Sequence, residues 1–109
     1  MEQLSIVEKD GANYHLYELY GALNAYTIGE FQKTLYEAVQ HNNIVLDMSN
    51  VIELDPTGVG FLMAAFNDSV DAGFTLYFMS ISSETERALN STGFKQVFNL
   101  INSVTEVRS

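Results

Sequence analysis

The chain has no cysteine, few basic residues and a single proline. Without cysteine it can form neither a disulfide bond nor a thiolate metal site, and it has no cysteine nucleophile. Only five lysine and arginine residues stand against fourteen acidic residues, which gives a net charge of −9. That charge repels phosphate backbones and anionic lipid headgroups and favours basic partners, so we expect no binding to nucleic acid.

Long apolar runs, repeats and linker-like segments are also missing. No stretch approaches the roughly 18 apolar residues that a membrane span requires, and Glu2 stands where a signal peptide would be basic. A length of 109 residues with 47% apolar content fits one core rather than two. We therefore expect a single cytoplasmic domain over residues 1–109, without direct membrane insertion.

Residue patterns for catalysis or ligand binding are weak. His15 lies in a predicted strand and His41 in a predicted loop, and neither has a partner at ligand spacing. Gly58 and Gly60 lack the lysine and hydroxyl residue that complete a phosphate-binding loop.

The acidic residues Asp47, Glu53 and Asp55 lie close in sequence and could be imagined as a metal or acid/base cluster. No histidine or cysteine lies near them in sequence to complete a site. We expect no enzyme activity, no metal and no cofactor.

Two short runs rich in aromatic and β-branched residues, 4–9 and 14–20, flank Asp10-Gly11 and predict a β-hairpin. Two continuous apolar runs, 44–46, which ends in Asp47, and 74–79, are typical of central parallel strands that are covered on both faces.

Three helices are predicted from capping patterns and apolar spacing. Thr27 and Glu30 have capping-box spacing and begin a helix of about residues 28–40, with Ser83 and Glu86 forming a second such pair. A helix between them ends at Gly73, and its predicted core stripe consists of Val59, Leu62, Met63, Phe66 and Val70.

A last stop is predicted at Gly93-Phe94, followed by a short apolar element made of Phe94, Val97, Phe98, Leu100 and Ile101. The order β-β-α-β-α-β-α then implies an α/β fold. Its mixed sheet carries the antiparallel hairpin at one side, and its helices are right-handed crossovers that share one core.

The turn at Asp55-Pro56 is the most informative local feature. Proline is favoured in the first helical position, and it pushes the preceding residue into the extended geometry of an N-cap. Asp55 is therefore interpreted as a helix cap, and a helix begun there would expose Thr57 and Gly58 beside free N–H groups.

Helical projection of the second helix places Phe61 opposite the predicted core stripe, among small residues. An exposed aromatic residue there would suit a partner helix or a self-contact, and single exposed apolar residues are also ordinary. We hypothesise that Phe61 anchors a partner surface, and a weak homodimer is a further expectation.

Nearly the whole chain resembles the STAS domain family, named for sulfate transporters and anti-sigma factor antagonists. Residues 19–24 resemble the family's Gly-x-Leu-Asp segment. Residues 44–47 and 51–60 resemble its strand, the Asp-Ser-Ser/Thr-Gly turn and the helix that follows. Residues 80–84 and 89–98 resemble the exit from its final strand, the next helix and its Thr-Gly-Phe stop.

This resemblance implies a partner-switching function. In free-standing bacterial members the domain binds a serine kinase that is also an anti-sigma factor, and phosphorylation of the residue after the turn aspartate abolishes binding. That residue is Pro56 here, which has no hydroxyl, so Thr57 is the substitute candidate. The family's aspartate, thought to face the kinase, is replaced by Asn24. The partner-binding residues expected on this basis are Gly21, Asn24, Asp55, Pro56, Thr57, Gly58 and Phe61.

Two other functions are compatible with parts of the sequence. A STAS subunit of a larger assembly, such as a lipid-transport ABC complex, needs no phosphoswitch and would accept Pro56. A phosphoacceptor of response-regulator type would need paired acids after its first strand and a late lysine, and residues 4–13 offer no such pair.

Overall fold

Five strands form one mixed sheet in the part of the chain that the computed structural model describes, residues 3–92 and 99–107. They are β1 (Leu4–Asp10), β2 (His15–Leu23), β3 (Ile44–Leu54), β4 (Leu76–Met79) and β5 (Asn99–Ile101), and they lie side by side in this order. β1 is antiparallel to β2, and the other pairs are parallel.

Three helices connect the strands: α1 (Gly29–Ala38), α2 (Pro56–Ala72) and α3 (Ser83–Thr92). A short 3₁₀ helix, Val104–Glu106, follows β5. The predicted α/β fold with an N-terminal hairpin is confirmed. No helix in the described ranges is both long and apolar enough to cross a membrane.

Alternation along the strands divides the apolar side chains between the two faces of the sheet. One face packs against the helices in a cluster that includes Tyr17, Leu46 and Phe78. The other face carries a smaller cluster, to which Val107 after the 3₁₀ helix contributes. Burial, with the nearby carboxylate of Glu8, raises the pKa of Tyr17 to about 12.

β3 does not end at Asp47 as predicted but continues to Leu54. Asp47 Oδ1 accepts hydrogen bonds from the Ser49 N–H at 3.0 Å and the Ser49 hydroxyl at 2.7 Å. The register with β2 shifts nearby, between Glu18 and Tyr20, and the strand then resumes. Because β3 is longer, it carries Glu53 to the same sheet edge as the end of β2.

β4 begins at Leu76 rather than Phe74. Phe74 follows the C-terminal cap of α2, and its N–H donates to the Ser69 carbonyl of that helix at 2.9 Å. Gly73 is the predicted left-handed cap, with a φ of 84°.

Both predicted capping boxes are wrong. Ile28 occupies the N-cap of α1, which spans residues 29–38, and no side chain caps that helix. The Thr27 hydroxyl instead donates to the Ala22 carbonyl at 2.7 Å and accepts from the Asn24 N–H at 3.0 Å. At α3, the hydroxyl of Ser82 rather than Ser83 accepts from the Thr85 N–H at 3.2 Å. The predicted stop at Gly93-Phe94 lies outside the described residues, as do Val97 and Phe98.

The outward position predicted for Phe61 is wrong as well. Phe61 is 3% exposed, and its ring centroid lies 5.7 Å from those of Phe31 and Tyr36 in α1. Val70, assigned to the core stripe, is 59% exposed. The reason is that α2 packs against the sheet and also against α1 and α3, so it buries more than one stripe.

Candidate functional site

The turn after β3 has the predicted geometry of a helix start. Asp55 is the N-cap of α2, and its Oδ1 accepts a hydrogen bond from the Gly58 N–H at 2.7 Å. Pro56 follows at the first helical position, where an N–H would have no helical partner. Pro56 and Thr57 are exposed, and within the described residues the Thr57 hydroxyl forms no hydrogen bond.

The loop after β2 is built around Asn24, which is 7% exposed. Its Oδ1 accepts hydrogen bonds from the N–H groups of Tyr26 at 2.8 Å and Thr27 at 3.1 Å. Its Nδ2 donates to Glu53 Oε1 at 2.7 Å. The side chain predicted to contact a partner is therefore turned inward and holds the loop.

Three hydrogen bonds join the end of β2 and this loop to the end of β3 and the turn. Asn24 binds Glu53, the Ala25 N–H donates to Asp55 Oδ2 at 3.3 Å, and the Asp55 N–H donates to the Leu23 carbonyl at 3.2 Å. β2 and β3 are parallel neighbours, so their carboxyl ends meet at one sheet edge. Residues 24–27 and 53–58 thus form one surface, which we call the loop–turn surface.

Tyr26 is the feature of the loop–turn surface that sequence reasoning missed. It is 96% exposed, more than any other large apolar residue of the described ranges. The spacing of apolar residues could not predict this exposure, because Tyr26 precedes the first helix and lies in no periodic segment. An aromatic residue beside the turn-forming Asn24 was the one available signal.

The two glycines predicted to bind a partner, Gly21 and Gly58, allow close approach between backbone segments. Gly21 has a φ of +118°, and a Cβ there would lie 2.0 Å from the Gln3 carbonyl oxygen. A Cβ on Gly58 would lie 2.4 Å from the Leu23 carbonyl oxygen. Gly58 thus allows the start of α2 to lie against the end of β2, whereas Gly21 lies outside the loop–turn surface and allows the backbone of Gln3 to lie against β2. Gly60 is different, since a Cβ there meets nothing within 4 Å.

A shallow and mainly apolar cleft of about 370 Å³ adjoins the turn, between α2 and α3. Pro56, Val59, Gly60 and Met63 line it on one side, and Ala88 lies on the other. An exposed helix start beside an apolar cleft can dock a protein side chain or helix.

The two histidines lie apart from the loop–turn surface. No group of three histidine or acidic residues in the described part of the chain could hold a metal ion. His15 bonds Asp10 and lies 3.5 Å from Glu8 at the start of β2, away from the loop–turn surface. His41 pairs with Glu37 at 3.2 Å.

The family model of the STAS domain matches residues 3–107. The chain belongs to the STAS domain family. Among curated relatives of this STAS domain, the anti-sigma-B factor antagonist of Staphylococcus epidermidis is 27% identical over 89 residues, which are 80% of this chain and 82% of that protein.

Solved structures of anti-sigma factor antagonists share the fold. One from Mycobacterium paratuberculosis superposes with a TM-score of 0.77 at 19% identity, covering 94% of this chain and 89% of that one. SpoIIAA, an anti-sigma factor antagonist in its unphosphorylated form, gives a TM-score of 0.77 at 11% identity over 94% and 91% of the two chains. This STAS domain therefore shares its fold with solved anti-sigma factor antagonists.

Proposed function

We propose that this STAS domain is a non-enzymatic regulator that binds an anti-sigma factor with serine kinase activity. The loop–turn surface is the docking site. This proposal rests on one observation: hydrogen bonds hold the loop against the start of α2, so that the exposed residues Tyr26, Pro56 and Thr57 lie on one surface.

Pro56 determines how such binding is regulated. Proline offers no hydroxyl, so a kinase aimed at this position finds no acceptor, and we infer that the usual switch is missing. Thr57 is the nearest hydroxyl, turned by about 100° around the helix. A phosphate on it would add a charge of about −1.5 to −2 beside Asp55 and would weaken binding to a surface that accepts this acidic turn.

Phosphate transfer tests this directly. The wild-type chain, Thr57→Ala and Pro56→Ser would be incubated with ATP and the purified anti-sigma-factor kinases of the organism that encodes the chain. We expect mass spectrometry to find one phosphate on the wild type at Thr57 and none on Thr57→Ala. Modification of Pro56→Ser alone would mean that docking persists while the switch is lost. Modification of no variant would contradict the kinase as partner.

Blocking the cleft tests the docking surface itself. Gly60→Arg places a long side chain beside the turn without steric conflict at its Cβ, so we expect the fold to persist. The affinity for the same set of purified anti-sigma-factor kinases, called the kinase panel below, should fall at least about tenfold. Val70→Arg is the matched control, because Val70 is exposed near the other end of the same helix. Equal affinities of the two variants, measured by isothermal titration calorimetry, would exclude this surface.

A structural subunit of a larger assembly is the second candidate, and Pro56 favours it. A subunit such as the STAS component of a lipid-transport ABC complex needs no acceptor at that position. Co-purification of the chain with a transporter ATPase, together with no binding to the kinase panel, would support this reading.

A further inference from the structure

Glu53 is a negative charge of the loop–turn surface that forms no ion pair with a basic residue of the described ranges. Its Oε1 accepts the bond from Asn24 Nδ2, and its Oε2 accepts no hydrogen bond within the described residues. No buried side-chain oxygen there lacks a partner, so Oε2 is reached by solvent. The ion pairs of residues 3–92 and 99–107 all involve other acids.

Glu18 on β2 shows the contrast. It is half-buried like Glu53, but Lys9 lies 3.3 Å from its carboxylate across the hairpin. Partial burial disfavours an unpaired charge, because lost hydration must be replaced by protein groups. At Glu53 the side-chain N–H of Asn24 replaces part of the lost hydration. The second carboxylate oxygen, Oε2, stays open to solvent on the surface where we propose that a partner docks.

Asn24 determines the position of this charge. Its Oδ1 is bound to the loop N–H groups, so its amide is held with Nδ2 toward Glu53. An aspartate at position 24 could not donate this bond and would bring a second carboxylate against Glu53.

We propose that Glu53 is a specificity-determining residue of the docking surface. Its open oxygen accepts a charge-assisted hydrogen bond from an arginine or lysine of the protein partner, and Asn24 is the positioning residue that presents it. The acidic balance of the chain, −9, independently favours a basic partner surface. This inference rests on the proposed function, and it adds the chemistry of the partner and a residue outside the predicted set.

The test compares Glu53→Gln with Glu37→Gln, a matched control that removes the same charge from an exposed site on α1. The glutamine oxygen can still accept the bond from Asn24, so we expect both variants to unfold at the same temperature as the wild type. Against the kinase panel, Glu53→Gln should lose about tenfold in affinity or more, while Glu37→Gln should bind unchanged. The salt dependence of the dissociation constant should also become weaker in Glu53→Gln alone, which a merely structural residue would not cause.

The double variant Asn24→Asp/Glu53→Gln reverses the donor and acceptor of the pair and moves the charge to the loop. We expect it to fold but not to regain wild-type affinity, because the partner's cation is matched to Glu53. Wild-type affinity of this double variant would overturn the assignment.

The controls separate this inference from the proposed function. If Gly60→Arg abolishes binding while Glu53→Gln binds like Glu37→Gln, the inference is wrong and the docking surface stands. If no kinase of the panel binds the wild type, both are wrong.

Discussion

Replacing Phe61 with alanine is expected to lower the free energy of unfolding by about 3–5 kcal/mol. The ring is 3% exposed and packs edge-on against Phe31 at 5.7 Å, between α1 and α2. Its removal leaves a cavity between two helices that are anchored to the sheet and cannot close it fully. A domain typically has only about 5–15 kcal/mol of stability in total, so this loss is a large fraction of it.

Urea denaturation followed by circular dichroism measures this change. Val70→Ala is the control on the same helix, and its effect should stay within about 0.5 kcal/mol because Val70 is 59% exposed. A Phe61→Ala protein with an unchanged denaturation midpoint and a loss of partner binding would instead support an outward-facing Phe61.

Gly58→Ala is expected to destabilise the domain by about 1–3 kcal/mol. The added Cβ would lie 2.4 Å from the Leu23 carbonyl oxygen and 2.8 Å from Leu54 Cδ1. The carbonyl cannot move away freely, because it accepts the hydrogen bond of the Asp55 N–H. The methyl group must therefore separate the start of α2 from the end of β2.

Gly60→Ala shows whether the loss of stability in Gly58→Ala comes from this contact or from the change in helix propensity alone. Gly60 lies two residues further along α2, and a Cβ there meets nothing within 4 Å. Alanine at that position should raise the free energy of unfolding by about 0.5–1 kcal/mol. Destabilisation by both substitutions to a similar degree would contradict the steric explanation. Chemical denaturation at one temperature is sufficient for the comparison.

The features predicted correctly from the sequence are those that short-range physics determines. The hairpin of β1 and β2 was predicted correctly from its two strand-like runs, but its connection is residues 11–14 and Gly11 does not have a positive φ. The Asp55 cap and the Gly73 stop follow from the backbone preferences of single residues. The family resemblance, carried by ordered segments, gave the fold class and is confirmed by the family match over residues 3–107.

The errors share a long-range cause. Thr27 has the right spacing for a capping box, but the Ala22 carbonyl and the Asn24 N–H occupy its hydroxyl. Phe61 was projected outward because periodicity assumes one buried face, whereas α2 also packs against α1.

The same limit applies to the candidate site. The cap at Asp55 was predictable, but the bond from Asn24 to Glu53 spans 29 residues of sequence and depends on the register of β2 against β3. The inward orientation of Asn24 could not be predicted from local patterns, and the only local signal for the exposure of Tyr26 was its position beside Asn24. The roles of Asn24, Pro56, Thr57 and the other partner-binding candidates stay predictions until binding is measured.

The hydrogen bonds between the loop and the turn have a consequence for how association proceeds. The Ala25 N–H donates to Asp55 Oδ2 and the Asp55 N–H donates to the Leu23 carbonyl within the folded domain, so the loop is already ordered when a partner arrives. Little conformational entropy of this surface remains to be lost in the complex. The domain should behave as a rigid template, and differences in affinity among partners should reflect how well each partner adapts to it.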